Sequence, residues 1–170
     1  MTPKITALPE PVVLLDRREQ APPPIKAYRV EWVTLPVGEI GIKGFSDWVN
    51  PAFIIERKSL ADLTGSLGRG RERFMREIEK LKQFGFRALV IEATKAQVAA
   101  GAYRSTISPA SVLSTLDALA VRANLHLFWC EDSEGCARQV ESLVRQFARG
   151  IERLHGTLLK PKHQYGQEIT

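Results

Sequence analysis

Cysteine and histidine are scarce, with two and three residues in a chain of 170. Cys130 and Cys136 stand at a spacing that matches no zinc pattern, so a pair of free thiols is expected, one in a strand and one near a helix start. His126, His155 and His163 are scattered, and none is paired with a nucleophile. A disulfide-stapled secreted scaffold and a Cys/His metal module are both excluded. Long apolar runs are also missing: nothing approaches the ~18 residues of a membrane span. The opening MTPKITALPEP has no apolar signal core, and a cytoplasmic location is expected. No internal repeat and no second domain are visible. What remains is one soluble α/β-sized domain, 44% hydrophobic and 25% charged, long enough to close a real core.

The charge is not spread evenly. Between Arg57 and Arg87 there are nine basic and four acidic residues, so this window carries the excess behind the net charge of +5. A basic balance concentrated in one stretch points to a polyanionic partner, most simply nucleic acid. The alternative is a solvated helix face with Glu–Arg pairs at helical spacing.

Just upstream lies FIIERKSLAD, Phe53 to Asp62. Strand residues alternate faces, so Ile54, Glu56 and Lys58 share one side, with Phe53, Ile55 and Arg57 on the other. An acid and an amine thus sit side by side, ~7 Å apart along the backbone, where a core strand ends. Charges placed there need a partner or a metal.

The rest of the chain reads as strands first and then strands alternating with helices. Met1–Pro11 is Pro-bearing and aperiodic, an expected mobile arm. Val12–Leu15 is a buried strand tipped by Asp16, and Tyr28–Leu35 is a second strand. Glu39–Ile42 and Ala52–Lys58, flanking a loop, suggest a hairpin that brings Glu39 near Glu56. Ser59 and Asp62 read as a capping box opening a short helix. After the Gly65, Gly68 and Gly70 joint, Phe74, Ile78 and Leu81 repeat at helical spacing until Gly85. Phe86–Ile91 and Leu125–Cys130 are strands. Helices are expected from Ser108-Pro109 to about Ala123 and from Ser133 to Leu154, with a tail from Gly156. The expected domain spans residues 12–155, an α/β unit with a mixed central sheet flanked by helices.

Asp16, Glu39, Glu56 and Lys58 fall at strand ends, with Glu19 and Asp62 on flanking turns. Several carboxylates and one amine at the rim of a sheet suit metal-assisted phosphodiester hydrolysis. Mg2+ takes hard oxygen ligands, usually a few carboxylates plus waters and substrate phosphate. Lys58, on the Glu56 face, can orient the attacking water or steady developing charge. Each residue also has a plainer role available: Asp62 as cap partner, Glu19 as a turn acid, and Arg57 as the partner of a carboxylate in the other layer.

The order LLDRRE, LPVGEI, IIERKSLADLTGSL, GRERF and LVIEA resembles the nuclease domain of the XPF family of structure-specific DNA endonucleases. That family's pattern is GD-x(n)-ERK-x3-D after an Asp-x-x-Glu pair. Asp16 and Glu19 match the pair, and Glu56, Arg57, Lys58 and Asp62 match ERK-x3-D in full. Gly70-Arg71 matches a following Gly-Arg. The likeness runs from about Val12 to Arg149. Gly38-Glu39 stands where the family has Gly-Asp; glutamate keeps the charge and extends the carboxylate by about one C–C bond, ~1.5 Å.

The resemblance implies a restriction-endonuclease-like fold and an endonuclease dependent on Mg2+ or Mn2+ that cuts branched or flapped DNA. It implies Asp16, Glu39 and Glu56 as metal ligands and Lys58 as water-positioning base or electrostatic aid. Arg57, Asp62 and Glu19 would support the site, and Arg69, Arg71, Arg73 and Arg76 would bind DNA. The family's tandem helix–hairpin–helix module has no counterpart in these 170 residues. A homodimer or a partner protein supplying DNA specificity is therefore expected, in a bacterial or phage-infected cell. A catalytically silent DNA-binding or scaffold subunit is the alternative, and a nuclease acting on RNA or plain duplex ends is a third.

Overall fold

The apolar run VVLLD, Val12–Asp16, is buried at its last four positions and forms β1 at the centre of the sheet's first half. The computed structural model, which describes residues 8–158, has six strands and five helices; the strands and four of the helices follow the expected order, and one short helix is additional. The strands are β1, β2 (Arg29–Val33), β3 (Ile40–Ile42), β4 (Phe53–Ser59), β5 (Phe86–Glu92) and β6 (His126–Trp129). The helices are α1 (Leu60–Leu67), α2 (Arg71–Leu81), α3 (Lys95–Ala99), α4 (Pro109–Arg122) and α5 (Ser133–Leu158). They form one mixed sheet in the order β2-β1-β3-β4-β5-β6. The pairs β1–β2, β4–β5 and β5–β6 are parallel, and β3 runs antiparallel to both β1 and β4. Two reversals through β3 leave β1 parallel to β4, so the C-terminal ends of β1, β4 and β5 open at the same rim.

Period-two alternation assigns the faces. Leu14, Ile54, Leu89 and Ile91 pack under Leu63, Phe74, Ile78, Leu81, Val112 and Leu116 of α1, α2 and α4. On the opposite face Val13, Leu15, Ile40, Phe53, Ile55 and Val90 meet Cys136, Val140 and Val144 of α5. Both cysteines are free and buried. Phe147 extends this layer, its ring centroid 5.1 Å from Phe53 and 5.3 Å from Phe45. Truncating any one of the fully buried large side chains to alanine costs about 2–5 kcal/mol.

The expected helix from Ser133 to Leu154 continues to Leu158, so residues 156–158, expected as the start of a tail, are helical. An exposed glycine at 156 costs a helix only ~1 kcal/mol, and Gly156 does not stop it. The rest of that tail, residues 159–170, and residues 1–7 of the expected arm lie outside the described residues. Helix α3 had no apolar periodicity to announce it. It is set by a capping box, with the Thr94 side chain accepting from the Gln97 N–H and the Gln97 side chain accepting from the Thr94 N–H. Among the described residues no helix is long and apolar enough to cross a membrane.

Candidate active site at the strand ends

The hairpin forms as expected, and it delivers Glu39 to the rim. The Glu39 N–H donates to Ile55 O at 3.0 Å, and its carbonyl accepts from Asp16 N at 2.9 Å. The turn before it requires Gly38: φ is +72°, and a Cβ would lie 2.7 Å from Ile54 Cγ1. Only glycine fits both conditions without strain.

Around this rim opens a cleft of about 590 Å3 lined by Asp16, Arg18, Glu19, Glu39, Glu56, Arg57, Lys58 and Asp62. Arg73, Glu77 and Lys80 of α2 line it as well, as do Ala61 and Gly65 of α1. All seven residues expected to form the catalytic set therefore reach one cavity. Of the four expected DNA-binding arginines, only Arg73 does. The Arg71 guanidinium turns toward α4 and donates to Thr115 Oγ1 at 3.3 Å. Arg69 and Arg76 are exposed on α2 and the turn before it, away from the lining.

On the α1/α2 side of β4, the Lys58 ammonium is paired with the Glu56 carboxylate and lies 4.0 Å from Glu39 Oε1. Lys58 Nζ also stands 5.8 Å from the centroid of the Phe74 ring. Glu56 is 5% exposed. Burial pushes its carboxyl up, and Lys58 only partly opposes this. Burial acts to lower Lys58, but Glu56 and Glu39 outweigh it and hold the ammonium above the usual lysine range. Burial, then the charge of Glu56, then a hydrogen bond with Glu19 push Glu39 up to about 9. Glu39 thus holds a proton at neutral pH and shares it with Glu19. Burial would raise Glu19, but the bond from Glu39, the Ala21 N–H and Arg57 hold it below its ordinary value.

On the α5 side of the sheet, Arg57 pairs with carboxylates of the sheet's own rim, not with one in the other layer as expected. Its Nη2 lies 2.8 Å from Glu92 Oε2, and its Nη1 lies 4.0 Å from Glu19 Oε2. Glu92, at the end of β5, does not line the cleft but holds Arg57, and it was missing from the expected set. Its signal was present, since LVIE is a third apolar strand closed by an acid, like LLD and IIE. Arg18, Glu77 and Lys80 were likewise not expected in the cleft.

Asp16 is fully engaged. Its Oδ1 accepts from Arg18 N and Nε at 2.8 and 2.7 Å, and its Oδ2 accepts from Arg18 Nη2 and Leu35 N, both at 2.7 Å. Burial acts to raise its pKa, and these donors outweigh that and lower it. Asp62 both lines the cleft and caps α1. Ser59 Oγ accepts from Asp62 N at 3.1 Å and donates to Asp62 Oδ2 at 2.6 Å. The carboxylate therefore meets the cap hydroxyl, where a bond back to the cap N–H was expected.

Among the described residues no three His, Cys, Asp or Glu side chains close into a ready metal cage. The donor chemistry nevertheless fits a hard divalent cation. Glu39 and Glu56 are oxygen donors that face one cleft, and one of them must hold a proton to be tolerated there. Mg2+ needs only one or two carboxylates beside waters and substrate phosphate. The site is short of positive charge, and a cation in place of the proton supplies it.

The mixed six-stranded sheet with helices on both faces is a restriction-endonuclease-like fold. The model of the ERCC4 domain matches residues 15–143, and the chain belongs to that family. Two solved structures of XPF from Aeropyrum pernix share the fold. The one in complex with DNA has a TM-score of 0.63 and 24% identity over 82% of this chain. The other has a TM-score of 0.64 and 23% identity over 94% of this chain. This chain spans 66% and 65% of the length of those two chains. No curated protein in the comparison matches.

Proposed function

We propose that this protein is a divalent-metal-dependent DNA endonuclease that hydrolyses phosphodiester bonds in branched or flapped DNA. One observation carries the proposal: the Glu39 carboxylate meets the buried Glu56–Lys58 pair, with Asp16 and Glu19 beside them, in a cleft open to solvent. A fold does not retain such a cluster for stability, because unrelieved carboxylates at a rim weaken it. Membership in the ERCC4 family, and the DNA in the Aeropyrum pernix complex, support nucleic acid as the substrate class.

Glu39 and Glu56 would hold the cation, with Asp16 joining them only if Arg18 releases it. A divalent cation there supplies Lewis-acid stabilisation of phosphoryl charge and acidifies water. Lys58 acts as an ammonium, since its raised pKa keeps its proton through neutral pH. It therefore steadies negative charge on the reacting phosphate instead of withdrawing a proton. Arg57, held between Glu19 and Glu92, fixes the backbone that carries Glu56 and Lys58. Arg73 and Lys80 face the cleft from α2 and neutralise substrate phosphates. DNA specificity beyond the cleft would come from a second copy or a partner protein.

Labelled flap, fork, nicked, plain duplex and RNA substrates, incubated with Mg2+, Mn2+ or EDTA, test this. Cutting of branched DNA in metal, lost in EDTA and in Glu56→Gln, is expected. DNA binding with no cleavage in either metal would make the chain a silent scaffold instead. Preferred digestion of RNA or plain duplex would move the substrate class.

A further inference from the structure

Three glycines surround the α1–α2 turn, and two have reasons inside the fold. A Cβ on Gly68 would lie 3.2 Å from Thr64 O, and one on Gly70 would lie 3.3 Å from Gly65 O and from Ser66 Cα. Gly65 is different. It sits inside α1 with no left-handed backbone, and a Cβ there would meet nothing within 4 Å. A helix keeps glycine at a cost relative to alanine, yet nothing in the chain demands it at 65. The open space lies over the cleft, which Gly65 lines together with Ala61, one turn earlier, and Glu56, Lys58, Arg73 and Lys80.

We infer that Gly65 is a substrate-positioning residue: its missing side chain leaves the path by which the sugar–phosphate backbone of the cut strand passes α1. This rests on the nuclease reading of the cleft. The strand is flanked by Arg73 and Lys80 across the groove, and its phosphate reaches Glu56 and Lys58 at the groove's floor. Close approach of a backbone to a helix is where glycine is needed. Gly150 provides the contrast, since it too lies in a helix with nothing within 4 Å of a Cβ, but on α5 and outside the cleft.

Gly65→Ala, Gly65→Leu and Gly150→Ala are compared for melting temperature, for steady-state cleavage of a labelled flap duplex in Mg2+, and for binding of the same duplex in EDTA. Both alanine variants should melt at or above the parent, by about 1–3 °C. Gly65→Ala should raise KM and weaken binding about tenfold, Gly65→Leu about a hundredfold, each with kcat within threefold; Gly150→Ala should match the parent. Unchanged KM and binding in both Gly65 variants would overturn the inference. A loss confined to kcat, or a lower melting temperature for Gly65→Ala, would overturn it too. If the parent neither cuts nor binds, the nuclease reading fails and this inference falls with it; if the parent is active and the variants match it, only this inference fails.

Discussion

Replacing Glu39 by glutamine removes one ionisable group while keeping a side chain that can accept from Arg57 N, which donates to Glu39 Oε2 at 3.3 Å. In the folded chain Glu39 holds its proton up to about 9, against an ordinary value of 4.5 when unfolded. Between those pH values the folded state binds more protons than the unfolded state, so stability falls as pH rises. The loss begins near pH 4.5 and is complete only above about 9. Each pH unit in that window costs up to ~1.4 kcal/mol, or about 6 kcal/mol in all. The Glu39 side chain is 24% exposed, and screening by that water leaves about 2–3 kcal/mol. For a chain of this size that is about 5–10 °C in melting temperature.

Thermal melts in EDTA from pH 5 to 9, wild type beside Glu39→Gln, measure this directly. The curves should meet near pH 5 and diverge upward, with the variant about 5–10 °C more stable at pH 9. Charge effects away from the cleft are common to both proteins, so the difference reports residue 39 together with the Glu19, Glu56 and Lys58 groups coupled to it. Adding Mg2+ at tenfold its Kd should stabilise the wild type by ~1.4 kcal/mol and the variant by clearly less. Parallel melting curves across this range refute the reasoning, and so does a variant less stable at pH 9.

Lys58→Met leaves the buried Glu56 carboxylate without its cation and should cost about 3–5 kcal/mol in urea melts, with the Lys58→Met/Glu56→Gln pair recovering part of the loss. Gly38→Ala forces a side chain into positive φ and against Ile54; a loss of about 2–4 kcal/mol is expected, together with loss of cleavage as Glu39 leaves the rim. Arg73→Ala and Lys80→Ala should each reduce the slope of log K against log salt for DNA binding by about one. Arg71→Ala, whose guanidinium is turned to Thr115, should reduce it less.

The β4 face assignment was legible because period two is a local property and seven consecutive residues carry it. Glu56 and Lys58 emerge on one side and Arg57 on the other, where it meets Glu92 of the neighbouring strand instead of a carboxylate in the other layer. The hairpin could be read for the same reason: one loop joins strands whose apolar positions match. Helix α2 shows where local pattern stops. Phe74, Ile78 and Leu81 fix its buried stripe, and at ~100° per residue Arg73, Glu77 and Lys80 flank one side while Arg71 flanks the other. The sequence thus separates these residues into two flanks, but which flank meets the cleft depends on how α2 docks on β4 through long-range packing. Helix α3 was missed although T-x-x-Q is a capping signal, because five residues hold too few apolar positions to show a period.

Asp16 and Glu39 exchange the importance that strand-end position alone would assign them. Both are carboxylates at the rim, and from sequence they are equivalent candidates for a cation. Arg18 and Leu35 saturate both oxygens of Asp16, so that acid is ionised, satisfied and committed to anchoring two turns. Glu39 accepts only a 3.3 Å bond from Arg57 N and otherwise faces Glu19, Glu56 and Lys58. A carboxylate with many donors holds a structure together; one with few donors and many acidic neighbours is poised for a cation. The extra methylene of glutamate, where the XPF-family pattern has aspartate, belongs to this division, since the carboxylate at 39 reaches both Glu19 and the Arg57 N–H from the rim. Glu39→Asp draws it back by ~1.5 Å. If reach is what keeps this acid protonated, the shortened side chain should lose most of the pH-dependent instability that Glu39→Gln removes, yet unlike glutamine it should still bind and be stabilised by Mg2+.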